Sequence, residues 1–255
     1  MQIIDTHIHL YAKEYEGDLQ ALIHAAQQDG VSQMLLPNID HESIEGVKTL
    51  ATNFPGFCIP MMGLHPCYVK GNYEDELTII EKELRSGNYI AVGEIGMDKY
   101  WELDFIQEQE IALKRQLILA HELDLPVALH TRNANQEVLS IIKELQLDGL
   151  RGVFHCFSGT LEEAETMIKL GFYLGIGGVL TYKNGGLDKI VIDVPLEHLV
   201  LETDGPYLSP HPHRGKRNQP AFINYVAEKL AEIKNISKKE VADITSANAK
   251  KLFRL

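Results

Sequence analysis

At 255 residues, the chain is near the ~250 typical of a single α/β barrel and long enough to bury a large core. Its 45% hydrophobic and 24% charged residues are those of an ordinary soluble globular protein, and no apolar run approaches the ~18 residues of a membrane span. A net charge of −12 argues against broad, non-specific attraction to nucleic acid; it leaves room for a nuclease in which bound cations reverse the potential at one place.

Along the chain, apolar runs of strand length occur at 3–4, 34–36, 57–62, 89–92, 127–129, 152–154, 172–176 and 199–201, with enough residues between them for crossover helices. The clearest helix is expected over 104–121, capped by Asp104, with Ile106, Leu113, Leu117 and Ala120 on one side. Phe222, Val226 and Leu230 recur at helical spacing between Pro220 and Ile233. Ser237-Lys-Lys-Glu240 then reads as a capping box opening a last helix through Val241 and Ile244. No Pro/Gly/Ser-rich linker, charge block or low-complexity tract divides the chain, so residues 1–255 are expected to form one domain. The opening Met1-Gln-Ile-Ile-Asp5 lacks the basic stretch and apolar core of a secretion signal, which makes the cytoplasm the expected compartment. Cys58, Cys67 and Cys156 are odd in number and show no Cys-x-x-Cys spacing, a pattern of reduced, buried thiols rather than disulfides or a thiolate zinc site.

Eight strand-like runs can close into a barrel or open into a doubly wound sheet, and the polar residues decide between them. His7 and His9 follow the first run, Glu94 the fourth, His130 and His155 end the fifth and sixth, and Asp204 lies just beyond the eighth. Closure into a (β/α)8 barrel gathers these six at the carboxyl ends of the strands, whereas an open sheet scatters the first and last of them. Each residue alone has an ordinary explanation: a strand-end imidazole, a loop acid, the turn chemistry of Asp-Gly-Pro. The recurrence of His or acid at one strand end does not. Four imidazoles and two carboxylates exceed one tetrahedral site and suit two divalent ions sharing a carboxylate. Zn, Mn, Co or Ni suit imidazole better than a pure Mg or Ca cage, although Mg stays among the candidates.

The residues also resemble a known family. Asp5-Thr-His-Ile-His-Leu, Gly63-Leu-His-Pro66, Gly93-Glu-Ile-Gly-Met-Asp98, Leu129-His-Thr-Arg132, His155-Cys-Phe-Ser-Gly159, Glu202-Thr-Asp-Gly-Pro-Tyr207 and the run from Pro212 to Pro220 resemble, in order, the motifs of the TatD metal-dependent deoxyribonucleases, within the amidohydrolase-like metallohydrolases. The resemblance covers effectively the whole chain. It implies the same six ligands, a bridging role for Glu94, and metal-dependent DNA hydrolysis, often exonucleolytic and 3′–5′ on single strands. Met97, Lys99, Asn133 and Gly205 depart from the family pattern; none is a ligand, so they bear on substrate preference.

On this reading a water between two ions attacks phosphorus and Asp204 takes its proton, which makes Asp204 and Glu94 the catalytic pair. Arg214 and Arg217, in a basic loop after the eighth run, are candidates to grip phosphate bidentately. His65 is expected at the scissile phosphate or a leaving oxygen, with Arg132 and Ser158 as further substrate contacts. The Gly175-Ile-Gly-Gly178 run lacks a full dinucleotide fingerprint, and Ser158 lacks the Gly-x-Ser-x-Gly elbow of a serine hydrolase. The alternatives are a metallohydrolase acting on an ester or amide carbonyl (deacylase, lactonase or amidase) and a non-catalytic binding module. The basic loop speaks against the first and the complete ligand set against the second. No membrane and no obligate protein partner is expected; the expected partner is the DNA substrate.

Overall fold

The computed structural model describes residues 1–255, in which eight parallel strands alternate with helices. The strands are β1 (Ile3–Asp5), β2 (Val31–Leu36), β3 (Cys58–Pro60), β4 (Val92–Asp98), β5 (Val127–Arg132), β6 (Gly152–Phe154), β7 (Phe172–Ile176) and β8 (Leu199–Leu201). Around them run α1 (Leu19–Gln28), α2 (Ile44–Asn53), α3 (Tyr73–Ser86), α4 (Ile106–Glu122), α5 (Asn135–Leu145), α6 (Leu161–Lys169), the short α7 (Leu187–Val191), α8 (Ile223–Lys234) and α9 (Lys238–Phe253).

The strands form two continuous ladders, β1-β2-β3 and β4-β5-β6-β7-β8. Two seams join them into a (β/α)8 barrel. At one, Met62 bridges to Val92 and the Gly93 amide donates to the Met62 carbonyl at 2.9 Å. At the other, the Thr6 amide donates to the Leu201 carbonyl at 3.0 Å and the Asp204 amide to that of His7 at 2.9 Å. The second seam brings the first and last strands together.

Side-chain alternation along each strand divides the core in two. Ile4, Leu35, Met61, Ala91, Ala128, Val153 and Val200 form a small cluster with Ala249, Leu252 and Phe253 of α9. Their alternate neighbours, such as Ile3, Leu36, Leu129, Phe154 and Leu201, belong to the large cluster that also takes in the helices. The alternation continues upward: His130 shares parity with Ala128, His155 with Val153, and Glu202 with Val200. The pattern that fills the barrel with apolar groups therefore aims polar groups into its mouth one layer higher.

The Ser237–Glu240 capping box opens α9 as expected, the Ser237 hydroxyl accepting from the Glu240 amide at 3.2 Å. Two expectations are corrected. Asp104 does not cap α4, which starts after Phe105 with no side-chain cap; the Asp104 amide instead donates to Glu102 at 3.0 Å. The fourth strand starts at Val92 and runs to Asp98, so Glu94 lies inside it rather than after it. Two glycines hid this extension. Gly96 has φ +148°, and a Cβ there would sit 1.9 Å from the His130 carbonyl oxygen, so only glycine lets β4 pair with β5 as far as Asp98 and Arg132.

Candidate metal centre

Glu94 is the hub of the barrel mouth. It is buried, and its two oxygens face different imidazoles. Oε2 is 3.1 Å from His7 Nε2 and 3.5 Å from His9 Nε2. Oε1 is 3.0 Å from His130 Nδ1, 3.0 Å from His155 Nε2 and 3.3 Å from His65 Nε2. Asp204 stands on the His7–His9 side, with Oδ1 3.5 Å from His9 Nε2 and 3.9 Å from His7 Nε2. The His7 and His155 rings stack at 3.8 Å. All six ligands expected from sequence are thus in one space, and three overlapping groups among them and His65 have ligand atoms close enough to hold a cation: His7, His9 and Glu94; His7, His155 and Asp204; His65, Glu94 and His130.

Hydrogen bonds behind the rings fix which nitrogen is free. The Tyr11 hydroxyl donates to the Pro37 carbonyl at 2.7 Å, so its oxygen accepts from His9 Nδ1 at 2.8 Å. Nδ1 of His9 is therefore a donor, which in the neutral ring leaves Nε2, facing Glu94 and Asp204, as the nitrogen that would bind a cation. His65 is the reverse: its Nδ1 accepts the Cys67 amide at 3.0 Å, so its Nε2 carries the proton and is a donor. Proximity puts His65 in a possible ligand group, but its tautomer suits it to donate to an oxygen.

His130 and His155 each have a carboxylate on the far side. His130 Nε2 is 2.9 Å from Asp98 Oδ2, and His155 Nδ1 is 3.3 Å from Glu202 Oε1. Such carboxylate–imidazole pairs orient metal-binding histidines and raise their basicity. Asp98 and Glu202 lie within motifs quoted above, yet nothing in the sequence paired them with imidazoles 32 and 47 residues away. Glu202 is fully buried, accepts the Cys156 amide through Oε1 at 2.5 Å, and keeps Oε2 unpartnered. A Cβ on Gly175 would lie 2.2 Å from that Oε2, so the glycine run of β7 makes room for the acid. Asp98→Asn should weaken divalent-metal affinity about 10–100-fold by disorienting His130. Calorimetric titration checks this; unchanged affinity contradicts a positioning role.

The electrostatics fit cation binding. Burial opposes the charge on Glu94, but the surrounding His65, His7 and His155 hold its carboxyl well below the usual range. Burial likewise opposes charge on Asp204, and the His9 contact with the charges of His155 and His7 lowers it nonetheless. Burial depresses His7 and His65. His155 and His130 go the other way: against burial, Glu94 and Glu202 lift the first well above the ordinary value, and Asp98 and Glu94 lift the second. Burial pushes the Cys67 thiol up to about 12 and Cys156 higher still, so neither is a thiolate at neutral pH.

A metal must displace protons from His155 and His130, whose folded-state affinity for protons is raised. Apparent metal affinity should therefore fall as pH drops through those raised values, up to about tenfold per pH unit for each proton displaced. Calorimetry in buffers of different ionisation enthalpy should register proton release on metal addition; pH-independent binding without release contradicts the ligand assignment.

The second seam and the loop beyond it place Asp204. Asp5 is fully buried and accepts from the amides of His7 and Thr203 and from the Thr203 hydroxyl, tying β1 to the segment after β8; burial pushes its carboxyl up to about 8, against the pull of those hydrogen bonds. Buried Asn218, unsuspected from sequence, donates to the carbonyls of Thr203 and Tyr207 at 2.7 Å each and clamps the Asp204 turn. The basic loop is only partly as expected. Arg214 is exposed and lies 4.5 Å from the Tyr182 ring centre. Arg217 is instead committed to Asp18 through two hydrogen bonds of 3.0 and 2.5 Å and to the Glu14 carbonyl, a fork already filled by an acid 199 residues away. Arg132 and Ser158 are exposed beyond His130 and His155.

The barrel and the histidine–carboxylate cluster in its mouth define an amidohydrolase-like metal-dependent hydrolase. Comparison with known proteins gives the family: the profile described as TatD related DNase matches residues 4–254, and the chain belongs to that family. It is 36% identical over 254 residues to the metal-dependent hydrolase YabD of Bacillus subtilis (strain 168), covering 99% of each chain. It is 32% identical over 260 residues to the 3'-5' ssDNA/RNA exonuclease TatD of Edwardsiella piscicida, covering 99% of this chain and all of that one. The solved structure of YjjV, a TatD homolog from Escherichia coli K12, superposes with a TM-score of 0.93 at 32% identity, covering 99% of this chain and 98% of the other.

Proposed function

We propose that this chain hydrolyses phosphodiester bonds in single-stranded nucleic acid, DNA foremost, as a 3′–5′ exonuclease dependent on two divalent ions. The observation that carries it is the division of Glu94, with one oxygen toward His7 and His9 and the other toward His130 and His155. That arrangement suits a carboxylate shared by two cations, one served by His7, His9 and Asp204 and the other by His130 and His155. The Nε2 atoms of His7 and His9, each facing both Glu94 and Asp204, and the mixed imidazole–carboxylate donor set fit Zn, Mn, Co or Ni, with Mg as a harder alternative. Such ions supply stabilisation of both entering and leaving oxygens in an in-line displacement.

The chain's own groups supply the rest. Asp204, ionised and at the mouth, accepts the proton of the attacking water. His65 Nε2–H donates to a phosphate or leaving-group oxygen. Arg132 and Arg214 hold neighbouring phosphates, and Ser158 is a further donor at the rim. These cations favour a phosphodiester over a neutral ester or amide. The 3′–5′ polarity and the single-strand preference draw on the exonuclease name of the Edwardsiella relative. Residues 1–255 act as one domain. No helix is long and apolar enough to cross a membrane, and the cytoplasm is the proposed compartment.

The test is digestion of end-labelled single-stranded DNA and RNA, with ester and amide substrates in parallel, each with divalent metal and with chelator. Metal-dependent shortening from the 3′ end is expected. Turnover confined to carbonyl substrates overturns the reading.

A further inference from the structure

The loop between β4 and α4, residues 99–105, presents large apolar side chains to solvent. Trp101 is 68% exposed, Leu103 63% and Tyr100 51%. Exposed single apolar residues need no explanation, but this group is pinned by hydrogen bonds and sits next to the histidine–carboxylate cluster. Asp98 Oδ1 accepts the amides of Tyr100 and Trp101 at 2.8 and 2.6 Å, while its Oδ2 holds His130 at 2.9 Å. Buried Gln109 pins the same loop, accepting the Asp98 amide at 2.8 Å and donating to the Glu102 carbonyl at 3.1 Å. One carboxylate therefore orients a candidate ligand and fixes the aromatic pair.

The pair is built as a platform. The Tyr100 and Trp101 rings meet edge to face at 4.7 Å, and the Arg132 guanidinium lies 4.5 Å from the Tyr100 ring centre and 5.6 Å from that of Trp101. Neighbouring cations are already neutralised, Lys99 by Glu137 and Lys70 by Glu102, whereas Arg132 has aromatic faces beside it and no carboxylate partner. A fixed cation next to exposed π-faces suits a ligand carrying an anion and a flat ring one unit apart, which is a nucleotide. Two further exposed tyrosines touch cluster imidazoles edge-on: Tyr207 (52% exposed) at His9 and Tyr68 (41%) at His65.

We propose that Trp101 and Tyr100, with Arg132, form a stacking site for an unpaired nucleobase of the strand whose phosphate enters the cluster. The inference rests on the nucleic-acid reading above and adds to it where affinity comes from: a chain of net charge −12 gains little from long-range attraction, and stacking is independent of charge and tolerant of sequence. It also favours single strands, because a base within a duplex has no free face to offer.

Trp101 is the chain's one tryptophan, so intrinsic indole emission reports on this site alone. The test titrates zinc-loaded protein with a phosphorothioate-linked oligothymidylate, which resists cleavage, and with an abasic strand of the same length and linkage. Anisotropy of labelled strands is read in parallel for Trp101→Ala, Tyr100→Ala and Trp101→Phe. Saturable change of indole emission by the base-bearing strand alone is expected. Trp101→Ala should bind that strand about 5- to 150-fold more weakly, and Trp101→Phe should recover most of the loss. Binding with unchanged emission, or equal weakening of both strands by Trp101→Ala, overturns the stacking site. Emission that follows protein concentration rather than strand assigns the pair to contacts between copies and overturns it too. Failure of both strands to bind overturns the nucleic-acid reading itself.

Discussion

Glu94→Gln should lower hydrolysis about a thousandfold or more and leave the protein with at most one bound divalent ion. The carboxylate faces imidazoles through both oxygens, and an amide can serve only one side as an acceptor. Its NH2 group would be turned toward either His7 and His9 or His130, His155 and His65. Removing the negative charge also removes the group that does most to hold His155 well above its ordinary proton affinity and that, with Asp98, raises His130. Paired ions contribute several kcal/mol to stabilising a displacement, which corresponds to roughly three orders of magnitude in rate. Metal content by atomic emission, beside turnover on a single-stranded oligonucleotide, checks both halves. Two retained ions with near-normal turnover would remove Glu94 from its central role.

Asp204→Asn should lower kcat about 100- to 10,000-fold with a much smaller change in KM, the signature of an interaction made in the transition state. Asparagine keeps the volume and tolerates the φ of +55° that the turn imposes, so the Asn218 clamp and the second seam survive. What is lost is a carboxylate held ionised below its ordinary range and able to accept a proton. Circular dichroism of the variant should match the parent, and, because Asp204 is also a candidate ligand, single-turnover kinetics at saturating metal should locate the loss in the chemical step. An equal rise in KM with kcat preserved would assign Asp204 to substrate binding.

The fold and the site were unequally legible in the sequence. Apolar runs and their spacing marked all eight strands, because a strand buried on both faces reads as an apolar run whatever surrounds it. The run at 89–92 misled about β4, since Gly93 and Gly96 have low strand propensity and stay in the strand only through tertiary pairing, Gly93 with Met62 and Asn38 and Gly96 with β5. Parity made His130 and His155 legible as inward-facing. The residues behind them were not, because Asp98 meets its imidazole from the neighbouring strand and Glu202 from two strands away, and periodicity speaks only of local structure. Arg217 failed for the same reason: a basic loop reads as phosphate-binding until the fold brings Asp18 to it. Tyr100 and Trp101 were visible as letters, but their exposure beside the cluster depends on Asp98 bending the loop back over the strand end.

The central claim is that imidazoles and carboxylates from distant segments hold a pair of cations across Glu94. Anomalous diffraction from crystals grown in excess zinc or manganese tests it most directly. Two peaks are expected, one among His7, His9 and Asp204 and the other among His130 and His155, with an oxygen of Glu94 toward each. An empty mouth, or a single ion out of reach of Glu94, would contradict it.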